Sequence, residues 1–539
     1  MTGSTDYPEV RAAGVRAPGG DAPGGVRGRP PNLLVVMTDS LRPDYVGGYR
    51  RRTDTPDLPG QLRSPAGTGA RTPHLDRLAA ESAVFERAYA ASFPTVPNRN
   101  DLHTGRFTFP HRGWSPLPPD VPCLAGALTR AGYVTQFFCD TPNQVPMGLQ
   151  RGFAGWEWHR GQEGDRFVTD PRLQPDLGCP PEKLRGDGVA YRQYLKNRSW
   201  WRSEEDHFAP RTLRSGMAWL QQLYEAQRSG APGGAPSGAP DGGAGGVERV
   251  PFFLWLDTFD PHEPWDAPPN YVDWYDPGYT GEVLAHARYG RADYMTEAER
   301  QHTKALYAAE VSMVDKWMGR LLQQLDDLGF REDTVVVHLS DHGHYFGDHG
   351  LQGKPFRELL WLYEGLIRTA LTVRLPDGRG AGTRVGALAQ PPDVTATLLD
   401  LAGLSPAALP GLQGRSLLPA IDGADGGPEA VFTSRYPILN GLVSPCVVTT
   451  AEWSYQYWPG EPDSERLYHL PSDPGQGQDR RAERRAERRA ERPEIARELR
   501  ARYLDWLREQ NPELCAWLER IEREPAFRPD APTLFRGNL

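Results

Sequence analysis

Residues 32–40 read NLLVVMTDS. The unbroken apolar run from Leu33 to Met37 leaves no polar face, which at this length reads as a buried strand. Thr38, Asp39 and Ser40 then mark an exposed C-terminal end. Two other stretches share this form. VPFFLWLDTFDPHEPW (250–265) and DTVVVHLSDHGHYFGDHG (333–350) each pass from an apolar strand into a polar loop. Between them, YAAEVSMVDKWMGRLLQQLDDLGF (307–330) has apolar positions at helical spacing and should lie against a sheet. TPHLDRLAAESAVFERAYA (72–90) reads as another amphipathic helix, and CLAGALTRAGYVTQFFCDTPN (123–143) as a helix followed by a strand. Strand and helix alternating in this way predict an α/β fold.

The chain has 539 residues, too many for one ordinary core and enough for two packed domains. Residues 1–29, rich in Gly, Pro and Arg, are expected to be disordered. The α/β domain is expected over 30–425, with SGAPGGAPSGAPDGGAGG (229–246) as a flexible loop inside it. A smaller subdomain should occupy 426–539. There AVFTSRYPI, CVVTTAEWSYQYW and RLYHLPSDPG read as short antiparallel strands followed by helices. RRAERRAERRAER (480–492) reads as a solvated helix with local Glu–Arg pairs.

Composition narrows the partners. A net charge of -9 argues against a long nucleic acid, which rewards a basic face, but leaves room for a small anionic substrate in a locally positive pocket. No run approaches the roughly 18–20 apolar residues of a membrane span. The start, MTGSTDYPEVRAAG, lacks the pattern of a secretory signal. Five scattered cysteines without metal-type spacing predict a reduced, cytoplasmic protein. Homo-oligomerisation is left open. Only five of the 61 basic residues are lysines (Lys183, Lys196, Lys304, Lys316 and Lys354), which makes each of them of interest.

Ligands of open α/β sheets bind beyond the carboxyl ends of the strands. Three predicted strand ends carry chemistry-bearing residues: Asp39, His262, and the Asp341–His342 pair. Taken singly, each has an ordinary alternative: Asp39 as a helix cap and His262 as the closing residue of a turn. Together, Asp39, Asp341 and His342 offer oxygen ligands and one imidazole, a set suited to one divalent cation. The imidazole shifts the preference from calcium or magnesium toward manganese or zinc. SFPTVPNRNDLHTGR (92–106) adds a hydroxyl at Thr95, which can complete the metal shell and act as nucleophile, and Arg99 four residues on.

The segments NLLVVMTDSLRPD, TPHLDRLA, TVPNR…TGR, FDPHEPW, SDHGHYFGDHG…GKP, QPPDVTATLLDLAGL and RLYHLPSDPG, in that order over roughly residues 31–475, resemble the sulfatase branch of the alkaline phosphatase superfamily. The resemblance implies a mixed α/β sheet flanked by helices, with a smaller C-terminal α+β domain containing an antiparallel sheet. It also implies metal ligation by Asp39, Asp341 and His342 together with the nucleophile Thr95. Arg99 would support that nucleophile, and His262 and Lys354 would contact the anionic group or the leaving oxygen.

The chain departs from the pattern where the chemistry is decided. Sulfatases carry Cys or Ser at the position of Thr95, oxidised to formylglycine within Cys/Ser-x-Pro-Ser-Arg, whereas this chain has Thr-Val-Pro-Asn-Arg. The extra methyl group of threonine blocks formation of the aldehyde. A sulfated formylglycine hydrate expels sulfate by breaking its own C–O bond; a threonine sulfate has no such exit, but a threonine phosphate can be cleaved by water at phosphorus. Ser40 replaces a frequent metal-binding Asp, and His342 a frequent Asn. The expectation is a metal-dependent hydrolase of phosphate diesters or phosphonate monoesters, with manganese preferred over zinc or calcium. The alternatives are a phosphoryl transferase, a sulfatase without formylglycine, and a non-catalytic binding protein. Specificity should lie in 160–184 and 268–290, which carry no decodable motif.

Overall fold

The computed structural model describes residues 29–50, 63–64, 67–229, 250–355, 360–424, 427–435, 438–439, 442–461, 464–477, 493–524 and 527. The N-terminal segment up to residue 28, the Gly/Pro/Ala loop at 230–249 and the charged repeat at 480–492 lie outside the described residues.

The main sheet uses β1 (Asn32–Thr38), β2 (Ala83–Ala88), β3 (Val134–Cys139), β4 (Gly155–Trp158), β5 (Phe252–Thr258), β6 (Thr334–Ser340), β7 (Leu371–Arg374) and β8 (Arg384–Ala389). Their order across the sheet is β8-β2-β7-β6-β1-β5-β3-β4. Only β7 runs antiparallel to its neighbours; β6, β1, β5, β3 and β4 are all parallel. The three strands read first in the sequence are therefore central and adjacent, with Val35 paired to both Trp255 and Val337.

Every residue of β1 is buried, as an apolar run without alternation requires when both faces of a sheet are covered. Leu34 and Val36 join the core under helices Phe208–Ser229 and Glu297–Asp327. Leu33, Val35 and Met37 face the other core, under helices Thr95–Thr104, Leu124–Arg130 and Pro391–Leu401. Each such side chain contributes about 1.5–3 kcal/mol by leaving water, so this strand is anchored firmly from both sides.

Two local expectations change. Residues 72–90 are not one helix. Helix Pro73–Ala80 is capped by Glu81, and Ala83–Ala88 becomes a strand between β7 and β8. Leu75, Leu78 and Ala79 lie on one helical face, but the consecutive Ala83, Val84 and Phe85 are all buried, which suits a covered strand. The long helix starts ten residues before Tyr307, at Glu297. Its start is set by a capping box in which Thr296 Oγ1 accepts from Glu299 N–H (3.2 Å) and Glu299 Oε2 from Thr296 N–H (2.7 Å).

The C-terminal part is an antiparallel meander of Ala430–Ser434, Cys446–Thr450, Trp453–Tyr457 and Arg466–His469. Helices Pro493–Gln510 and Pro512–Arg523 bury Tyr503, Leu507 and Leu518 in one core with Val448 and Tyr455. Phe109 enters the same core, and Ser92 bridges to Ser434, so the segment leading into Thr95 is tied to this sheet. The five cysteines are unpaired, and no described helix is long and apolar enough to cross a membrane.

Candidate active site

Because β1, β5 and β6 are parallel, their carboxyl ends lie together and deliver Asp39, Asp257 and Asp341 to one place. All three are fully buried. Arg99, also fully buried, answers them: Nη1 lies 3.1 Å from Asp39 Oδ2 and 2.6 Å from Asp341 Oδ2. Nε and Nη2 donate to Asp257 at 3.0 and 2.8 Å. Uncompensated carboxylates at this depth would cost several kcal/mol each, so Arg99 is a condition for the site to exist. It reaches the Thr95 residue only through a backbone carbonyl, 3.3 Å from Nη1.

Thr95 is the first residue of helix Thr95–Thr104, which ends at Gly105 in the left-handed region (φ 67°). Asp101 fixes the approach to this helix by accepting from Ser92 N–H and Oγ–H and from Thr108 N–H. Thr95 Oγ1 lies 3.2 Å from His342 Nε2. On the far side of that ring, Nδ1–H donates to the Gly343 carbonyl (3.0 Å), so Nε2 carries the lone pair. Burial lowers the His342 pKa to about 4 and keeps the ring neutral near pH 7.

Asp39, Asp341 and His342 present ligand atoms within 4.8 Å of one another. Asp39 Oδ2 is buried and makes no hydrogen bond among the described residues. Burial, and then the Asp341 charge, push the Asp39 carboxyl well above its usual range. Against the upward push of burial, His342 and Arg99 hold Asp341 below it. Two carboxylates, an imidazole lone pair and a nearby hydroxyl make a donor set that fits a divalent cation. Ser40, at φ 61°, turns its N–H onto Asp341 Oδ1 (2.9 Å) and its hydroxyl onto Asp39 Oδ1 (2.7 Å), orienting both groups.

Lys354 Nζ donates to Ser40 Oγ at 3.1 Å and lies 3.4 Å from Glu263 Oε2. His262 stacks on Phe259 at 3.8 Å, and its Nδ1–H donates to the Glu263 carbonyl at 2.6 Å. Burial, with Lys354 and Arg185 adding to it, drives the His262 pKa well below its usual value. All seven residues expected from the sequence thus gather around the ends of β1, β5 and β6, with Thr95 and Arg99 brought in by the helix. His349 instead stacks on Tyr363, and His469 bonds Ser472.

Sequence reading missed Glu263 and the true role of Asp257. Asp257 is taken up by the Arg99 guanidinium. Glu263 is a fully buried carboxylate touching Lys354, His262 and His344. Its one signal was a charged residue between His262 and Pro264, at a strand end where nothing exposed was required.

A family model for sulfatases, matched to residues 31–169 and 247–404, covers more than half of the chain. The chain is 24% identical over 485 residues to a choline-sulfatase of Rhizobium meliloti, spanning 82% of this chain and 81% of that protein. It is 25% identical over 439 residues to PehA of Trinickia caryophylli, a multifunctional alkaline phosphatase superfamily protein, covering 74% and 78%. In fold it is similar to the phosphonate monoester hydrolase of Agrobacterium radiobacter, with a TM-score of 0.64 at 21% identity over 89% of this chain and 96% of that one. With the metal-ready cluster at the sheet's carboxyl edge and this match over both halves of the α/β part, the chain belongs to the sulfatase family, as an enzyme of the alkaline phosphatase superfamily.

Proposed function

We propose that this chain hydrolyses phosphate diesters or phosphonate monoesters through a covalent intermediate on Thr95, without formylglycine. The observation that carries the reading is the threonine hydroxyl 3.2 Å from His342, in the position where the family's oxidised residue needs Cys or Ser. Manganese is the preferred ion for the mixed oxygen and imidazole set.

When bound by Asp39, Asp341 and His342, a divalent cation supplies positive charge that neutralises phosphoryl oxygens and favours ionisation of a hydroxyl. The protein's own groups act around it. Thr95, at a helix N-terminus, sits where backbone N–H dipoles favour negative charge. Its oxygen, the hydroxyl proton having passed to solvent, forms a bond to phosphorus as the bond to the leaving oxygen breaks. Lys354, steadied by Ser40 and Glu263, donates to that leaving oxygen. His262 has its one proton on the Glu263 carbonyl, so its Nε2 suits accepting a proton from the water that releases Thr95. Arg99 positions the carboxylates. The free thiols fit a reducing compartment, and we assign the enzyme to the cytoplasm, acting on a small anionic substrate.

The sulfatase relatives favour a second reading, sulfate-ester hydrolysis with an unmodified hydroxyl. Both are tested with wild type and Thr95→Ala, loaded in turn with manganese, zinc and calcium. The substrates are p-nitrophenyl esters: a phosphate monoester, a phosphate diester, a phosphonate and a sulfate. The proposal expects diester or phosphonate turnover lost in Thr95→Ala, with phosphorylated or phosphonylated Thr95 in acid-quenched peptides. Sulfate turnover exceeding both would reject it.

A further inference from the structure

Beside Lys354 lies a polar group that the chemistry above does not use. Glu163, His286 and Tyr289 come from the two stretches, 160–184 and 268–290, that carry no motif, and Arg185 directly follows the first. The backbone locks the two stretches together, with Arg185 N–H donating to the His286 carbonyl (3.0 Å) and a bridge between Leu184 and Ala287. Their side chains converge on Glu263. Arg185 Nη1 donates to Glu163 Oε1 at 2.7 Å and lies 3.5 Å from Glu263 Oε1. The Arg185 guanidinium stands 4.7 Å from the Tyr289 ring centre, and Lys354 Nζ stands 5.4 Å from the same centre. One carboxylate, Glu263, therefore separates Arg185 from the lysine at the reaction site.

Three features set this group apart from a closed ion-pair network. The Arg185 side chain is 35% exposed, while Glu263 beneath it is fully buried. Its Nε and Nη2 make no hydrogen bond among the described residues, all its bonded contacts running through Nη1 and the backbone. His286 is buried, yet neither ring nitrogen makes a hydrogen bond, its Nε2 lying 3.8 Å from Glu163 Oε1. A buried imidazole whose nearest partner is a carboxylate beyond hydrogen-bonding distance costs free energy that a ligand atom would recover. A divalent cation among Glu163, Glu263 and His286 is disfavoured, because Arg185 already supplies the positive charge between the two carboxylates.

We propose that Arg185, with His286 beside it, recognises an anionic oxygen group, a carboxylate or a phosphate, on the part of the substrate away from the scissile bond. The inference rests on the phosphoryl-ester reading. The unengaged Nε–Nη2 edge of the guanidinium matches the paired oxygens of either group, and Glu163 and Tyr289 hold its plane in place. The preferred substrates are then esters with a second negative charge a few bonds from phosphorus.

Calorimetry on manganese-loaded protein tests this with butylphosphonate, 4-phosphonobutyrate and propane-1,3-bisphosphonate. Wild type should bind at least one of the two doubly charged ligands about ten-fold or more tightly than butylphosphonate, as expected for a charge-assisted fork. The ligand that gains identifies carboxylate or phosphate. Arg185→Ala should erase that ratio, and Arg185→Lys should retain part of it. Melting temperatures of both variants exclude misfolding as the cause. Equal binding of all three ligands by wild type, or a ratio that survives in Arg185→Ala, overturns the assignment. Failure of every phosphonate to bind rejects the phosphoryl reading instead. The comparison is then made with aryl sulfates with and without a carboxylate, where a carboxylate advantage lost in Arg185→Ala upholds Arg185 and no advantage overturns it.

Discussion

At the scale of single residues, Thr95 and Glu263 make opposite kinds of prediction. Thr95→Ser keeps the hydroxyl and discards only a methyl group, so kcat should stay within about ten-fold of wild type, whereas Thr95→Ala should lose about 10³-fold or more. Equal loss in both would show that the methyl group, not the oxygen, is what the site requires. Glu263→Gln preserves shape but removes the charge that Lys354, Arg185, His262 and His344 share. With Lys354 no longer steadied, kcat should fall by roughly 10–100-fold with a smaller change in KM. An unaltered kcat would reduce Glu263 to a packing residue. Thr95 could be singled out in the sequence because its TVPNR…TGR segment resembles the one that carries the family's nucleophile. Glu263 was not, since its meaning lies in partners from residues 185, 344 and 354 that no local pattern connects.

At the scale of elements, the helix that presents Thr95 depends on how it ends. Gly105 has φ 67°, and a Cβ there would come within 2.3 Å of Leu412 Cδ1. Gly105→Ala should cost about 1–2 kcal/mol from backbone strain and crowding, read from denaturant unfolding. If the helix shifts to relieve the contact, kcat should fall as well, because Thr95 and Arg99 move with it. A variant as stable and active as wild type would show that the helix start, held by Asp101, sets the site by itself. Strands β1, β5 and β6 were readable because runs without alternation demand burial on both faces. Residues 83–88 were misread because their pairing partners, β7 and β8, lie some three hundred residues away, and a short apolar cluster after a true helix continues its pattern. The segments 160–184 and 268–290 were expected to set specificity, but Glu163, Arg185 and His286 could not be named in or beside them, because irregular backbone has no period to read.

At the scale of the whole molecule, the sheet joins groups from distant parts of the chain, and two linkages follow. Asp39 and Asp341 sit on neighbouring strands, so an ion bound between them stabilises only the folded state. Manganese at about 100 times its dissociation constant should add about 2.7 kcal/mol to unfolding, and Asp39→Asn or Asp341→Asn should remove that gain. Equal stabilisation of these variants would place the ion elsewhere. The second linkage is to protons. His338 lies in the centre of β6, fully buried, and burial lowers its pKa to about 4 from the ordinary 6.5. As pH falls from 6.5 toward 4, the unfolded chain takes up a proton that the folded one refuses, so stability falls through that window. Above it this penalty is absent, and below it the penalty is complete. At pH 5 the expected loss is about 2 kcal/mol. His338→Leu removes the imidazole from both states and leaves Thr38 its bond to the Leu339 carbonyl. Other titrating groups act alike in the two proteins and cancel. The fall in unfolding free energy from pH 8 to pH 5 should therefore be about 2 kcal/mol smaller in His338→Leu than in wild type, and identical slopes would mean that His338 takes up its proton in the fold as readily as in the unfolded chain.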